Sequence, residues 1–150
     1  MNDTESKERI LVIDDDETIT TVFRAGLKHE GFNVDVASSG KEAIEKARDQ
    51  FYNLALIDIR LPDMAGTKLL TEMKDTTPRM RKIIVTGYPD LQNAIASVQN
   101  GADFYITKPA KIDYLVKVVK EQLQKQREEQ EYSEKKVAEY IETRLRQNPD

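Results

Sequence analysis

The stretch Ile10-Leu11-Val12-Ile13-Asp14-Asp15-Asp16 sets an uninterrupted, β-branched-rich apolar run directly against three carboxylates. A short apolar run without polar alternation reads as a strand buried on both faces, and such strands belong to parallel sheets covered by helices. Further runs follow: Val34 and Val36 in alternation, Leu54 to Ile57 continuous, then Ile83 to Val85 and Phe104 to Ile106. The alternating Val34/Val36 run is expected at or near an edge and the continuous runs in the centre.

Helical periodicity fills the gaps. Ile19, Val22, Phe23 and Leu27 recur at helical spacing and stop at Gly31, suited to the left-handed turn after a helix. Ser39, with Glu42 three residues on, reads as a capping box ahead of a buried stripe of Ala43, Ile44 and Ala47. Leu69, Leu70 and Met73 give a short third helix after Gly66, and Leu91, Ala94, Ile95 and Val98 a fourth that ends at Asn100-Gly101. Tyr114, Leu115, Val118 and Val119 open a fifth. The alternation predicts an α/β fold, a doubly wound sheet of five parallel strands with right-handed crossovers.

From Lys120 to Arg146 there is neither Gly nor Pro, so the fifth helix is expected to continue. Glu121/Lys125, Glu131/Lys135 and Glu142/Arg146 stand at i,i+4, each pair adding about 0.2–0.5 kcal/mol to an exposed helix. Val116, Val119 and Leu123 fit one heptad seam and Val137 with Tyr140 fit it again, but Gln126, Gln130 and Ser133 interrupt it. Asn148-Pro149-Asp150 reads as a helix stop or an arbitrary boundary. The organisation expected is a flexible leader over residues 1–8, one domain over 9–123, and a helical extension or linker over 124–150.

Composition narrows the function classes. A chain of 150 residues with a formal charge of −4 lacks the electrostatic footprint of a protein that neutralises many phosphates, so no direct DNA binding is expected. The absence of cysteine excludes a disulfide scaffold and thiolate zinc sites, and the lone His29 excludes multi-histidine metal centres. His29 itself reads as a solvated residue at the carbonyl end of the first helix. The opening residues have no signal-peptide core, and no apolar run approaches the roughly 20 residues of a membrane helix, which points to the cytoplasm and no membrane association.

In an open parallel sheet, ligands bind beyond the carboxyl ends of the strands. Those ends carry Asp14, Asp15 and Asp16 on the first strand, Asp58 on the third, Thr86-Gly87 on the fourth and Lys108-Pro109 on the fifth. Carboxylates from two strands cannot approach one another uncompensated, and the least costly compensation is a hard divalent cation, Mg²⁺ first among them. Asp16 opens the first helix and reads as its N-cap rather than as a third metal ligand.

These residues, together with Leu61-Pro62, Val85-Thr86-Gly87 and Tyr105, resemble the receiver domain of two-component response regulators over about Arg9 to Leu123. The resemblance implies a flavodoxin-like (βα)5 fold with strand order 2-1-3-4-5 and an extended C-terminal helix. It implies that Asp58 accepts a phosphoryl group from a histidine kinase or histidine phosphotransfer protein. Mg²⁺ would be held by Asp15, Asp58 and the backbone carbonyl of Arg60, with Asp14 acting largely through water. Lys108 and Thr86 would contact the phosphoryl oxygens, and Thr86 with Tyr105 would switch the face of the fourth helix, fifth strand and fifth helix. Such a protein catalyses only its own phosphorylation and dephosphorylation. Lys108-Pro109 is expected to be cis, and Arg60 and Tyr88 stand where family members tune access of hydrolytic water. The pattern departs from the family at Ala65, Ala110 and Asp16.

The stretch Asp14-Asp15-Asp16-Glu17-Thr18 also fits the signature of haloacid-dehalogenase-like phosphatases, with Asp14 as nucleophile. That alternative leaves Asp58 without a role and lacks a downstream acidic pair for the metal. For output, the residues after Leu123 are too few for a usual helix-turn-helix domain. The chain is expected to be a stand-alone receiver acting on an unidentified protein partner, a phosphoryl-passing intermediate, or the front of a longer regulator, with at most a weak or phosphorylation-dependent homodimer.

Overall fold

A computed structural model describes residues 8–73 and 75–147. Residues 1–7 of the expected leader and the Asn148-Pro149-Asp150 stop lie outside the described residues.

Five strands alternate with five helices: β1 (Arg9–Ile13), α1 (Glu17–His29), β2 (Asn33–Ala37), α2 (Gly40–Asp49), β3 (Leu54–Ile57), α3 (Gly66–Glu72), β4 (Arg81–Thr86), α4 (Leu91–Gln99), β5 (Phe104–Thr107) and α5 (Ile112–Gln147). All strand pairs are parallel in the order β2-β1-β3-β4-β5, the doubly wound arrangement expected. The weakly apolar β2 is one edge and β1, β3 and β4 form the interior, but the continuous run of β5 is the other edge rather than central, with Phe104 exposed. The sheet separates two cores. Ile10, Val12, Leu54, Leu56, Ile83 and Val85 face Phe23, Leu27, Leu115 and Val119 of α1 and α5. Leu11, Ile13, Ala55, Ile57 and Ile84 face Ala43, Ala47, Leu69 and Leu70 of α2 and α3.

Local signals account for most helix ends. Asp16 caps α1, its carboxylate accepting from the Thr18 and Ile19 N–H groups at 2.9 and 3.4 Å. Gly31, at φ 98, follows the end of α1 as the left-handed residue. The capping box of α2 is shifted by one residue: Ser39 accepts from the Glu42 N–H, but the Glu42 carboxylate reaches back to the N–H of Ser38.

Three features depart from the local reading. β4 begins at Arg81 rather than Ile83, and Arg81 and Lys82 are only 6% and 8% exposed. The apolar stripe of α4 faces outward, with Leu91, Ile95 and Val98 exposed and only Ser97 buried. In α5, Val119 and Leu123 are buried in the domain's own core with Val116 packed beside them, so they are not available as a seam for a second helix. Gln126 does not interrupt a seam in solvent either: it is buried, donating to the carbonyls of Asn53 and Arg79 at 2.9 and 2.8 Å.

Among the described residues, no helix is long and apolar enough to cross a membrane.

Candidate functional site

Parallel strands deliver their C-terminal residues to one edge, and here β1, β3 and the β5 end converge there. Asp14 is fixed by its own N–H donating to the Ala37 carbonyl at 3.0 Å, and Asp58 by its N–H donating to the Ile13 carbonyl, also at 3.0 Å. The Lys108 N–H donates to the Thr86 carbonyl at 2.8 Å, and the Lys108–Pro109 peptide is cis, as expected. The result is an open cleft of about 480 Å³ lined by Asp14, Asp15, Asp16, Asp58, Arg60, Gly87, Tyr88 and Lys108.

The loop after β3 holds Asp58 by contacts that leave no slack. Gly66 N–H donates to the Ile59 carbonyl at 2.6 Å, and a Cβ on Gly66 would stand 2.2 Å from the Asp58 carbonyl oxygen. Glycine is therefore required by the close approach. From the same loop, Asp63 accepts from the Gly40 and Lys41 N–H groups at 2.8 Å each, capping α2 from a distance in sequence. No local pattern announces that cap, because its partners lie two elements away.

Charge in the cleft is uneven. The Lys108 ammonium donates to Asp14 at 2.6 Å and reaches Asp58 at 3.4 Å, so it is shared unequally. Burial pulls the Lys108 pKa down, but the bond to Asp14 and the charges of Asp14 and Asp58 outweigh it and hold the ammonium above its ordinary value. Asp58 is held above the usual carboxylate range, first by burial and then by the Asp14 charge, with Lys108 opposing. Its remaining contact is a long 3.5 Å approach from the Arg60 N–H.

The acids fit a hard cation. Ligand oxygens of Asp14, Asp15 and Asp58 all lie within 4.8 Å of one another, and an all-oxygen donor set with excess negative charge is the chemistry Mg²⁺ takes.

Thr86 is fully buried and is not among the residues lining the cleft; its Oγ1 accepts from the Tyr88 N–H at 3.0 Å. The Tyr105 hydroxyl is buried without a hydrogen-bond partner, and burial, with the Asp90 charge next, raises its pKa. The Tyr105 hydroxyl is thus buried while the Thr86 oxygen accepts from the Tyr88 amide. The Arg60 guanidinium lies over the Tyr88 ring, 3.7 Å from its centroid. His29 is exposed, as read, beside Glu30.

Comparison with known proteins is consistent with this geometry. The family model described as "Response regulator receiver domain" matches residues 10–120. The transcriptional regulatory protein ZraR of Escherichia coli (strain K12) is 38% identical over 106 residues, covering 71% of this chain and 24% of that protein. The alginate biosynthesis transcriptional regulatory protein AlgB of Pseudomonas syringae is 35% identical over 121 residues, covering 81% of this chain and 27% of that protein. The chain therefore spans about a quarter of the length of these relatives. A CheY-like response regulator receiver domain protein of Methanospirillum hungatei superposes with a TM-score of 0.80 at 44% identity, covering 83% of this chain and 99% of that one. Nothing in these matches supports the phosphatase reading with Asp14 as nucleophile. The chain belongs to the response regulator receiver domain family.

Proposed function

We propose that Asp58 is the phosphoacceptor, taking a phosphoryl group from a histidine kinase or histidine phosphotransfer protein in the cytoplasm. The supporting observation is its commitment. Asp14 is tied to Lys108 at 2.6 Å and to the Asp16 N–H at 2.9 Å, whereas Asp58 has only long contacts and opens into the cleft. A carboxylate oxygen so placed is the nucleophile of an in-line displacement.

Asp15, Asp58 and the Arg60 backbone carbonyl would hold Mg²⁺, with Asp14 acting largely through water, and the ion would supply positive charge against the phosphoryl oxygens. Lys108 donates to those oxygens as a second positive partner, and Thr86 supplies a hydroxyl donor. One charge-assisted bond is worth about 1.5–3 kcal/mol, enough to shift a two-state equilibrium roughly ten- to a hundredfold. The surface it biases is the α4-β5-α5 face around Tyr105, where Leu91, Ile95, Val98, Phe104 and Tyr114 are exposed. That face meets a protein partner; the receiver unit spans residues 9–123, and the chain beyond it, helical as far as Gln147, is an extension or linker. The chain makes no direct DNA or membrane contact, and any homodimer is weak or phosphorylation-dependent.

Intact-mass spectrometry after incubation with acetyl phosphate and Mg²⁺ tests the central claim. One added phosphoryl group is expected, absent from Asp58→Asn and from chelator-treated protein; label persisting in Asp58→Asn overturns it. Arg60 and Tyr88, two bulky side chains that line the cleft, screen the acyl phosphate from water. Its lifetime is expected to shorten in the Arg60→Ala/Tyr88→Ala protein, and an unchanged lifetime refutes the screen.

A further inference from the structure

Tyr88 is held at two points, by Arg60 of the loop after β3 and by Thr86 at the end of β4. Its ring stacks under the Arg60 guanidinium at 3.7 Å, and its backbone N–H donates to Thr86 Oγ1 at 3.0 Å. Arg60 comes from the loop after β3 and Thr86 from the end of β4, so Tyr88 links the neighbourhood of Asp58 to the buried hydroxyl. Among the described residues Arg60 pairs with no carboxylate, although it lines a cleft rich in them. Its partner is an aromatic ring, an interaction weaker than the bidentate pairing a guanidinium makes with phosphate.

We propose that the Arg60–Tyr88 stack is a latch that keeps the Thr86 hydroxyl on the Tyr88 amide, and that a phosphoryl group on Asp58 opens it by drawing the guanidinium away. The inference rests on Asp58 being the phosphoacceptor. With the stack open, the β4–α4 loop loses its tether to Arg60, and the Thr86 hydroxyl is free to donate to a phosphoryl oxygen. Arg60 and Tyr88 act here as positioning residues, exerting their effect through Thr86. The Thr86–Tyr88 bond alone is a local turn that any threonine could form; the latch lies in its dependence on the stack.

The test uses the full chain with the substitutions Tyr88→Leu, Tyr88→Phe and Arg60→Ala. In Mg²⁺-free protein, hydrogen exchange at the position-88 amide, corrected for intrinsic rates, is expected to be about two- to fivefold faster in Tyr88→Leu and Arg60→Ala. Tyr88→Phe keeps a ring to stack on and is expected to restore the wild-type rate. Titration with beryllofluoride and Mg²⁺ then reads the opening. Tyr88→Leu, with no stack to break and Arg60 retained, is expected to bind about two- to fivefold more tightly than wild type. Arg60→Ala, which loses the phosphoryl contact with the latch, is expected to show no such gain. Equal exchange rates in all four proteins, or no gain in Tyr88→Leu, overturn the latch while leaving Asp58 phosphorylation intact. Wild-type protein that takes neither beryllofluoride nor phosphoryl from acetyl phosphate overturns the reading of Asp58, and the opening of the latch falls with it.

Discussion

At the carboxyl ends of β1 and β3, Asp14 and Asp58 share a single lysine with Asp15 close beside them, whereas at the amino end of β4 the buried Arg81 is fully partnered. Its guanidinium donates to Gln122 at 3.1 and 2.8 Å and to Glu129 at 2.6 Å, with Asp103 at 3.6 Å. Around it Gln126 ties α5 to Asn53 and Arg79, and Arg79 pairs with Asp103 at 2.7 Å. Both ends bury polar groups, but only one leaves negative charge in excess. Buried charge that is matched contributes to the uniqueness of the packing. Buried charge left unmatched is a standing cost that a cation or a new bond can relieve. The same sheet thus separates an end that anchors from an end that responds.

The largest expected effect strikes the anchoring end. Arg81→Ala orphans the Gln122 oxygen and removes a partner of Asp103 and Glu129, and should cost about 3 kcal/mol in urea unfolding. Phosphoryl uptake measured by mass should persist in whatever fraction is folded; its loss in folded protein would show that the two ends are not separable.

At the responding end the sign reverses. Because the Asp58 pKa is raised in the folded state, its ionisation opposes folding: the stability it allows is present at low pH and lost as pH rises through the folded value. Asp58→Asn is therefore expected to raise the melting temperature at neutral pH, with the gain vanishing in acid. A destabilised Asp58→Asn at neutral pH would mean that the Lys108 pairing outweighs burial.

The smallest effect belongs to Asp63, which is fully paired despite its place near the cleft. Its pKa is lowered, chiefly by the Lys41 and Gly40 N–H bonds, so its contribution is present above the ordinary carboxylate range and lost as pH falls through the lowered value. Asp63→Ala should give a slight loss of stability at neutral pH that disappears in acid. Thermal melts across pH read both carboxylates, with opposite slopes expected.

The same contrast explains what could be read in the sequence. Ile10 to Ile13 and Leu54 to Ile57 announce their strands because burial on both faces leaves an unbroken apolar run, and the acids just beyond each run fall at one edge by the geometry of a parallel sheet. Arg81, Lys82, Gln122 and Gln126 give the opposite impression. Each looks solvent-facing because its partner is distant: Gln122 lies 41 positions from Arg81, and Gln126 lies 73 from Asn53. Lys82 donates to the Leu70 carbonyl from inside the fold. The stripe on α4 misleads the other way, since helical spacing of Leu91, Ile95 and Val98 shows amphipathicity without saying whether the apolar face is covered. The positions of Tyr105 and Tyr88 depend on side-chain orientation, which residue order does not encode.

The anchoring end also has a mechanical consequence. Arg81 and Gln126 grip α5 as far as Glu129, and from Glu131 to Gln147 the helix continues with every residue exposed. At 1.5 Å per residue that free length is about 25 Å, clamped at its base by a polar network rather than hinged by a glycine. It is a lever. A tilt of about 10° at the clamp carries its tip some 4 Å, roughly one side chain's width, so a small repacking beside the sheet becomes a displacement at the far end of the rod.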